Sequence, residues 1–266
     1  MTMSERTDPE SPVYRFSIKT AEPGDIKHAL QMGLSDFFNR PLIGVFFGLV
    51  YALGGLAIFI GLFQQGYGWM ILPVAVGFPL IAPFVAAGLY EVSRRLQRSE
   101  DFSFYDILSV VWRQQRRELG WMAFTVLFVF WVWMYQVRLL LALFLVRLSF
   151  SSFDGLVNAV FFTSDGWLFL AVGTGVGALL SAVLFSATVI SMPMLLDREV
   201  DFITAMITSF KAVAKSPVVM LGWGAIIAII TLVSMAPVLL GLIVVLPVLG
   251  HATWHLYQRI IDISLV

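Results

Sequence analysis

Polar residues dominate the first 40 positions of the chain, and then charge disappears: residues 41–63 contain no Asp, Glu, Lys or Arg. At about 1.5 Å of rise per residue, a helix of that length spans the roughly 30 Å hydrocarbon core of a bilayer, so a first transmembrane helix is predicted there. Gln64-Gln65-Gly66-Tyr67-Gly68 reads as a tight turn. Residues 69–90 read as a second span, in which Pro73, Pro79 and Pro83 predict kinks. A third span begins near Leu119 and runs past Arg138 to Arg147; twenty residues counted from Trp121 end at Leu140, which puts Arg138 at the far interface. The fourth extends over about 167–196. Residues 217–257 are too long for one crossing and break at Ser234-Met235-Ala236-Pro237, so they divide into a fifth span over 217–235 and a sixth over 237–257. The pattern predicts an all-α membrane protein with six transmembrane helices.

Three other segments are apolar on one face only. Ile26, Leu30, Leu34 and Phe37 recur at helical spacing, as do Phe104, Leu108 and Val111, and again Phe202, Met206, Phe210 and Val213. Asp25, Ser103 (with Asp106 three residues on) and Asp201 are the expected N-caps. Such helices are expected to lie flat at the cytoplasmic interface. The segments DIKHALQMGLSDFFNRP from Asp25 and DFITAMITSFKAVAKSP from Asp201 align without a gap, and Pro41 and Pro217 then open transmembrane runs. The stretch from Arg98 to Phe102 matches that from Arg198 to Phe202 as a weaker third copy. The expected unit is an interfacial helix followed by a transmembrane hairpin, repeated three times over about 25–90, 101–196 and 201–257. These units form one membrane domain over 25–262, preceded by a mobile cytoplasmic tail over 1–24 in which only VYRFSIK resembles order. Between Arg147 and Gly166 a short interfacial helix is expected around SFDGLVNAVFF.

Composition points the same way, since 59% of the 266 residues are hydrophobic and 13% charged, against about 25% charged in soluble domains. Mean hydropathy is +0.88. Basic and acidic residues number 17 each, a balance that argues against a nucleic-acid partner and leaves membrane lipids as the expected surroundings. Their distribution is uneven. Six spans place fifteen of the 17 basic residues on the side of the chain ends, leaving Arg138 and Arg147 opposite. The positive-inside rule then puts both termini in the cytoplasm. The absence of cysteine excludes thiolate chemistry, disulfides and cysteine-held metal clusters. The first 40 residues hold no apolar run suited to a signal peptide, so the first span is expected to direct insertion.

The stretches GLYEVSRRL from Gly88, SMPMLLDREVDFITAMITSFKAV from Ser191 and GHATWHLYQR from Gly250 resemble a bacterial integral membrane family filed under a domain of unknown function, number 2189. Members of that family are sometimes labelled cytochrome c oxidase subunit I-like. The resemblance covers roughly residues 20–262 and implies a bacterial inner-membrane location without an assigned chemistry. A haem–copper core would call for more histidine ligands than the three in this chain.

Those histidines are the candidate metal ligands. His251 and His255 are four residues apart and share a helix face, and His28 lies on the same expected side. The reading favoured over metal or haem is packing at the membrane boundary with Trp254 and Tyr257, so no metal, cofactor or catalytic residue is expected. Arg94, Arg95 and Arg98, with Arg113, Arg116 and Arg117, could meet anionic headgroups or a partner. Arg138 is expected to snorkel to the outer interface, and Gly173-x-x-x-Gly177 to admit another helix closely. No span carries Asp, Glu or Lys at mid-depth, and no nucleotide-binding, nucleophile-elbow or zincin motif is present. The function expected is a non-catalytic accessory, assembly or modulatory component of a larger membrane complex, a respiratory one among the possibilities. The alternative is a transporter or channel for an apolar or weakly polar solute, with the prolines of span two and the glycines of span four as broken-helix elements.

Overall fold

The computed structural model describes residues 14–67, 70, 74, 82–115, 118–145 and 153–265. It is mostly helical. A short strand β1 (Tyr14–Ile18) leads into helices α1 (Pro23–Asn39) and α2 (Pro41–Gln64); α3 (Ala82–Gln97), α4 (Phe104–Gln115) and α5 (Glu118–Phe144) follow. Then come α6 (Phe153–Phe161), α7 (Ser164–Thr188), α8 (Ser191–Asp197), α9 (Phe202–Lys215), α10 (Pro217–Met235), α11 (Leu242–Ile260) and strand β2 (Ile261–Leu265). Among the described residues, four helical stretches are long and apolar enough to cross a membrane: Pro41–Gln64, Gly120–Phe144, Ser164–Asp197 and Pro217–Met235. Most of the expected second span, with Pro73 and Pro79, lies outside the described residues. The expected sixth span corresponds to α11, whose His251, His255 and Arg259 set it apart from those four.

The residues read as a tail include strand β1, within the stretch VYRFSIK, and the first residues of α1. β1 pairs antiparallel with β2, Phe16 opposite Ile263 and Ile18 opposite Ile261; the earlier residues lie outside the described ones. This pairing brings the residues before α1 together with those after α11. Lys19 N–H continues it to the Ile260 carbonyl at 2.8 Å, and Ala21 N–H reaches Ser216 Oγ at 2.9 Å.

Proline sets two of the helix junctions in the same way. Pro41 and Pro217 each stand at the first turn of a helix, where the missing N–H costs nothing, and each forces the residue before it out of helical geometry. Arg40 adopts φ −138°, ψ 59°, and Ser216 adopts φ −138°, ψ 62°. The other ends differ. Asp201 is an N-cap, its carboxylate accepting from Thr204 N–H at 2.8 Å, and Ser103 with Asp106 forms a reciprocal pair at the start of α4. Asp25 is not the cap of α1: Glu22 holds that place, and Asp25, three residues on, accepts from Glu22 N–H at 2.9 Å in a capping box. The α7–α8 break follows from Pro193, which cannot donate to the carbonyl four residues back. Ser209 Oγ receives the Ile190 N–H there at 3.1 Å.

The apolar stripes of the short helices divide between the protein and its surroundings: Ile26, Leu30, Phe202 and Met206 pack on the core, Phe37 and Val213 are buried, and Leu34 and Phe210 are exposed. The buried face of α1 is Ala29, Gly33, Asp36 and Phe37, while Leu34 and Phe38 are exposed. On α9 the buried residues are Ala205, Thr208, Ser209, Ala212 and Val213, with Ile203, Ile207 and Phe210 exposed. Small and polar residues therefore join part of the apolar stripe in the protein contact, and the rest of the apolar face is left to the surroundings. Where the surroundings are lipid this costs nothing, and close backbone approach favours small side chains. Helix α11 forms the central column, packed by α1, α2 and α3. A Cβ on Gly33 would stand 2.6–2.9 Å from the backbone of Val248 and Ala252, and one on Gly48 2.3 Å from the Ile243 carbonyl oxygen. Both glycines are the contact surfaces that let α1 and α2 reach that column.

Candidate functional site

The inward end of α11 carries the only two buried histidines among the described residues, His251 at 1% and His255 at 4% exposure. Helix α1 brings Asp36 to them, and α3 brings Ser93 and Gln97. Both neighbours of Asp36 bond the same oxygen: Ser93 Oγ donates to Oδ2 at 2.6 Å, and His255 Nε2 lies 2.7 Å from it. Ser93 Oγ is also 2.8 Å from His251 Nδ1. On the far side of its ring, His255 Nδ1 lies 3.1 Å from Gln97 Nε2, and Gln97 Oε1 accepts from the Trp254 indole at 3.0 Å. Six side chains from three helices thus form one buried hydrogen-bonded chain. Its polar atoms engage one another, as buried polar groups must if they are not to destabilise the fold.

This is a correction to the boundary-belt reading. His251, His255, Trp254 and Tyr257 do not present their side chains to lipid; Trp254 and Tyr257 are at 0% and 1% exposure, enclosed by protein. The imidazoles find carboxylate, hydroxyl and amide partners inside the bundle instead. Tyr90 stacks on Trp254 with ring centroids 6.4 Å apart, and the Tyr257 hydroxyl donates to Asp197 Oδ2 at 3.1 Å. His28 is exposed on α1 and is not brought to the pair. Among the described residues, no group of three or more His, Asp or Glu side chains is arranged to hold a metal ion.

The basic cluster is partly consumed within the protein. Glu91 is fully buried, and Arg94 and Arg95 close on it at 2.7 and 2.6 Å. Burial pushes the Glu91 carboxyl up, but the bonds from the two guanidiniums outweigh it and hold the group below its ordinary value. Arg95 also lies over the Phe102 ring, 5.9 Å from its centroid. Arg98 reaches Asp197 at 3.7 Å and Glu100 at 3.9 Å, and keeps 47% of its side chain exposed. The side chains of Arg113, Arg116 and Arg117 lie outside the described residues. Arg138 is exposed on α5, near the end of that helix.

Gly173 and Gly177 lie on the side of α7 that faces α5. A Cβ at Gly177 would come 3.0 Å from the Trp133 ring, and one at Gly173 3.7 Å from Leu140, both on α5. They lie in helix α7, which is continuous over Ser164–Thr188.

Asp36, Ser93 and Gln97 are the residues that sequence reasoning passed over, and Glu91 was read only as a charge interleaved with the arginines. A signal existed for three of them, since Glu91 and Ser93 lie within the GLYEVSRRL stretch and Gln97 directly follows it. Asp36 gave only the polar face of an amphipathic helix.

Residues 71–197 match the family model described as a predicted integral membrane protein, DUF2189. No curated protein and no solved structure matches the chain. The matched region runs from before α3 to the end of α8, so it includes Glu91, Ser93, Gln97 and Asp197 and stops short of α1 and α11. With its long apolar helices, the chain is a multi-pass integral membrane protein.

Proposed function

We propose that the chain is a non-catalytic accessory or assembly component of a larger complex in the bacterial inner membrane, crossing it six times with both ends in the cytoplasm. The observation that carries this reading is a ladder of exposed aromatic residues along α5. Phe124, Phe128, Trp131 and Tyr135 all face outward at steps of four, three and four residues, the spacing of a helix-packing seam, and Trp121, three residues before them, stacks on Phe202 of α9. Consecutive rings touch: Phe124 and Phe128 have centroids 6.4 Å apart, Phe128 and Trp131 6.3 Å, and Trp131 and Tyr135 4.6 Å. Arg138 stands three residues further along. Such a stripe offers a rigid surface to another membrane helix, while Asp36, Ser93, Gln97 and the two histidines are occupied with one another.

Six crossings are supported by the length of α11, which at about 1.5 Å per residue comes close to a hydrocarbon core, and by the joining of the two chain ends in one sheet, which requires an even number. The excess of basic residues on that face supports its assignment to the cytoplasm. Support for the repeat comes from α1 and α9. They bury the same register, Ala29 with Ala205, Gly33 with Ser209, Asp36 with Ala212 and Phe37 with Val213, and end on the same backbone geometry before Pro41 and Pro217.

Purification in mild detergent followed by native electrophoresis tests the function. Co-migration with a larger complex is expected, lost on Phe128→Ala with Trp131→Ala. A free, monodisperse protein whose thermal stability responds to a solute would instead favour the transporter reading.

A further inference from the structure

The buried chain of hydrogen bonds has a direction that the chemistry of its members fixes. The Trp254 indole N–H can only donate, so the Gln97 atom 3.0 Å from it is the amide oxygen. The Gln97 nitrogen therefore faces His255 Nδ1, 3.1 Å away. An amide NH2 donates and does not accept, so Nδ1 is the acceptor and holds no proton. The ring proton of His255 is then on Nε2, 2.7 Å from Asp36 Oδ2. Ser93 runs the other arm. Its single hydroxyl proton goes to the Asp36 carboxylate at 2.6 Å, so its oxygen accepts from His251 Nδ1 at 2.8 Å, and His251 carries its proton on Nδ1.

We propose that Gln97 and Trp254 form a tautomer clamp that holds His255 as a neutral Nε2–H donor, so that α1 is latched to α3 and α11 by a one-way relay of neutral donors ending on Asp36. The contact between Asp36 and His255 is thus not an ion pair. The charged groups around it are committed elsewhere. On α3, Arg94 and Arg95 close on Glu91; Arg98 and Arg198 meet Asp197 of α8, which also takes the Tyr257 hydroxyl of α11. Arg40, at the end of α1, lies over Phe102, and His28 is exposed. Among the described residues, no Lys or Arg forms an ion pair with Asp36. The two imidazoles consequently hold opposite tautomers, one helical turn apart on one helix, and each is set by a partner on α3. A proton added at His255 Nδ1 would meet the Gln97 NH2 group, and the amide could turn to receive it only by abandoning Trp254. The clamp is therefore a latch with a single resting state, released through α3.

The full chain, labelled with 15N-histidine and held in lipid nanodiscs at pH 7.5, tests this by long-range 1H–15N correlation, with assignments from His251→Gln and His255→Gln. The expected spectrum has His255 protonated on Nε2 with a bare Nδ1, and His251 the reverse. Gln97→Glu offers an acceptor in place of the amide donor and is expected to move His255 to the doubly protonated form. Trp254→Phe frees the amide to turn and is expected to give His255 a mixture of forms. An imidazolium or Nδ1–H form at His255 in the unaltered chain overturns the proposal. So does an unchanged Nε2–H form in whichever of the two variants folds.

Discussion

Helices α5 and α11 invert the rule that a soluble protein follows. α5 is apolar over nearly its whole length and lies at the periphery, with about a fifth (22%) of its most apolar window buried. α11 carries two histidines, a threonine and an interior proline, and nearly all of its inward half is buried. In water the more apolar helix would be the core. In lipid there is little hydrophobic gain in bringing apolar helices together, so hydrogen bonds, small residues and close packing decide which helix sits at the centre. Buried polarity marks the middle of this molecule, and aromatic exposure marks its edge.

The sharpest way to break that contrast is at Asp36. Asp36→Ala leaves the Ser93 hydroxyl and the His255 N–H, two neutral donors, buried without their acceptor, and a loss of about 2–6 kcal/mol in unfolding free energy is expected from equilibrium denaturation in detergent. A loss under about 1 kcal/mol would mean that the junction does not hold the bundle. Next is Gly33→Val. Its branches must displace the backbone of Val248 and Ala252, with an expected loss of roughly 1–3 kcal/mol; an unchanged melting temperature would contradict the close docking of α1.

Glu91→Gln sharpens the contrast through pH. The Glu91 carboxyl is held below its ordinary value of 4.5, so the unfolded chain takes up its proton before the folded chain does. Its contribution is therefore complete above about pH 4.5 and disappears as pH falls through the lower folded value. Loss of the paired carboxylate should cost about 1–2 kcal/mol at pH 7, and denaturation followed from pH 7 to pH 3 should show a flatter acid limb in the variant. Parallel limbs would place the acid sensitivity elsewhere. The smallest effect is expected at the edge: Trp131→Ala should change stability by no more than about 0.5 kcal/mol, because its ring packs against neighbours on its own helix. A loss of several kcal/mol would show that α5 is an interior helix.

The outer layer was legible from sequence, because an uncharged apolar run can be read from residue types alone: α2 and α10 begin at the prolines expected and the break after Met235 stands where Pro237 places it. The interior was not legible in the same way. The periodic apolar residues of α1 and α9 pointed toward the bundle or the acyl chains, and the buried face adds to part of that stripe small and polar residues, Gly33, Asp36, Thr208 and Ser209, that periodicity does not single out. Hydrophobic periodicity reports the face that avoids water, and at a membrane surface lipid satisfies that face as well as protein does. His251 and His255 were visible by their spacing, but their partners come from α1 and α3, more than 150 positions away. Nothing local to α11 announces them.

The contrast between centre and edge is tested most directly by the tryptophans themselves. In two single-tryptophan chains, one keeping Trp131 and the other Trp254, with phenylalanine at the remaining positions, fluorescence is measured in bilayers of lipids brominated along the acyl chain and again with aqueous iodide. The account predicts strong quenching of Trp131 by brominated lipid, and no quenching of Trp254 by either agent. Quenching of Trp254 by brominated lipid to the same degree as Trp131 would contradict it, because α11 would then face the membrane and not the protein.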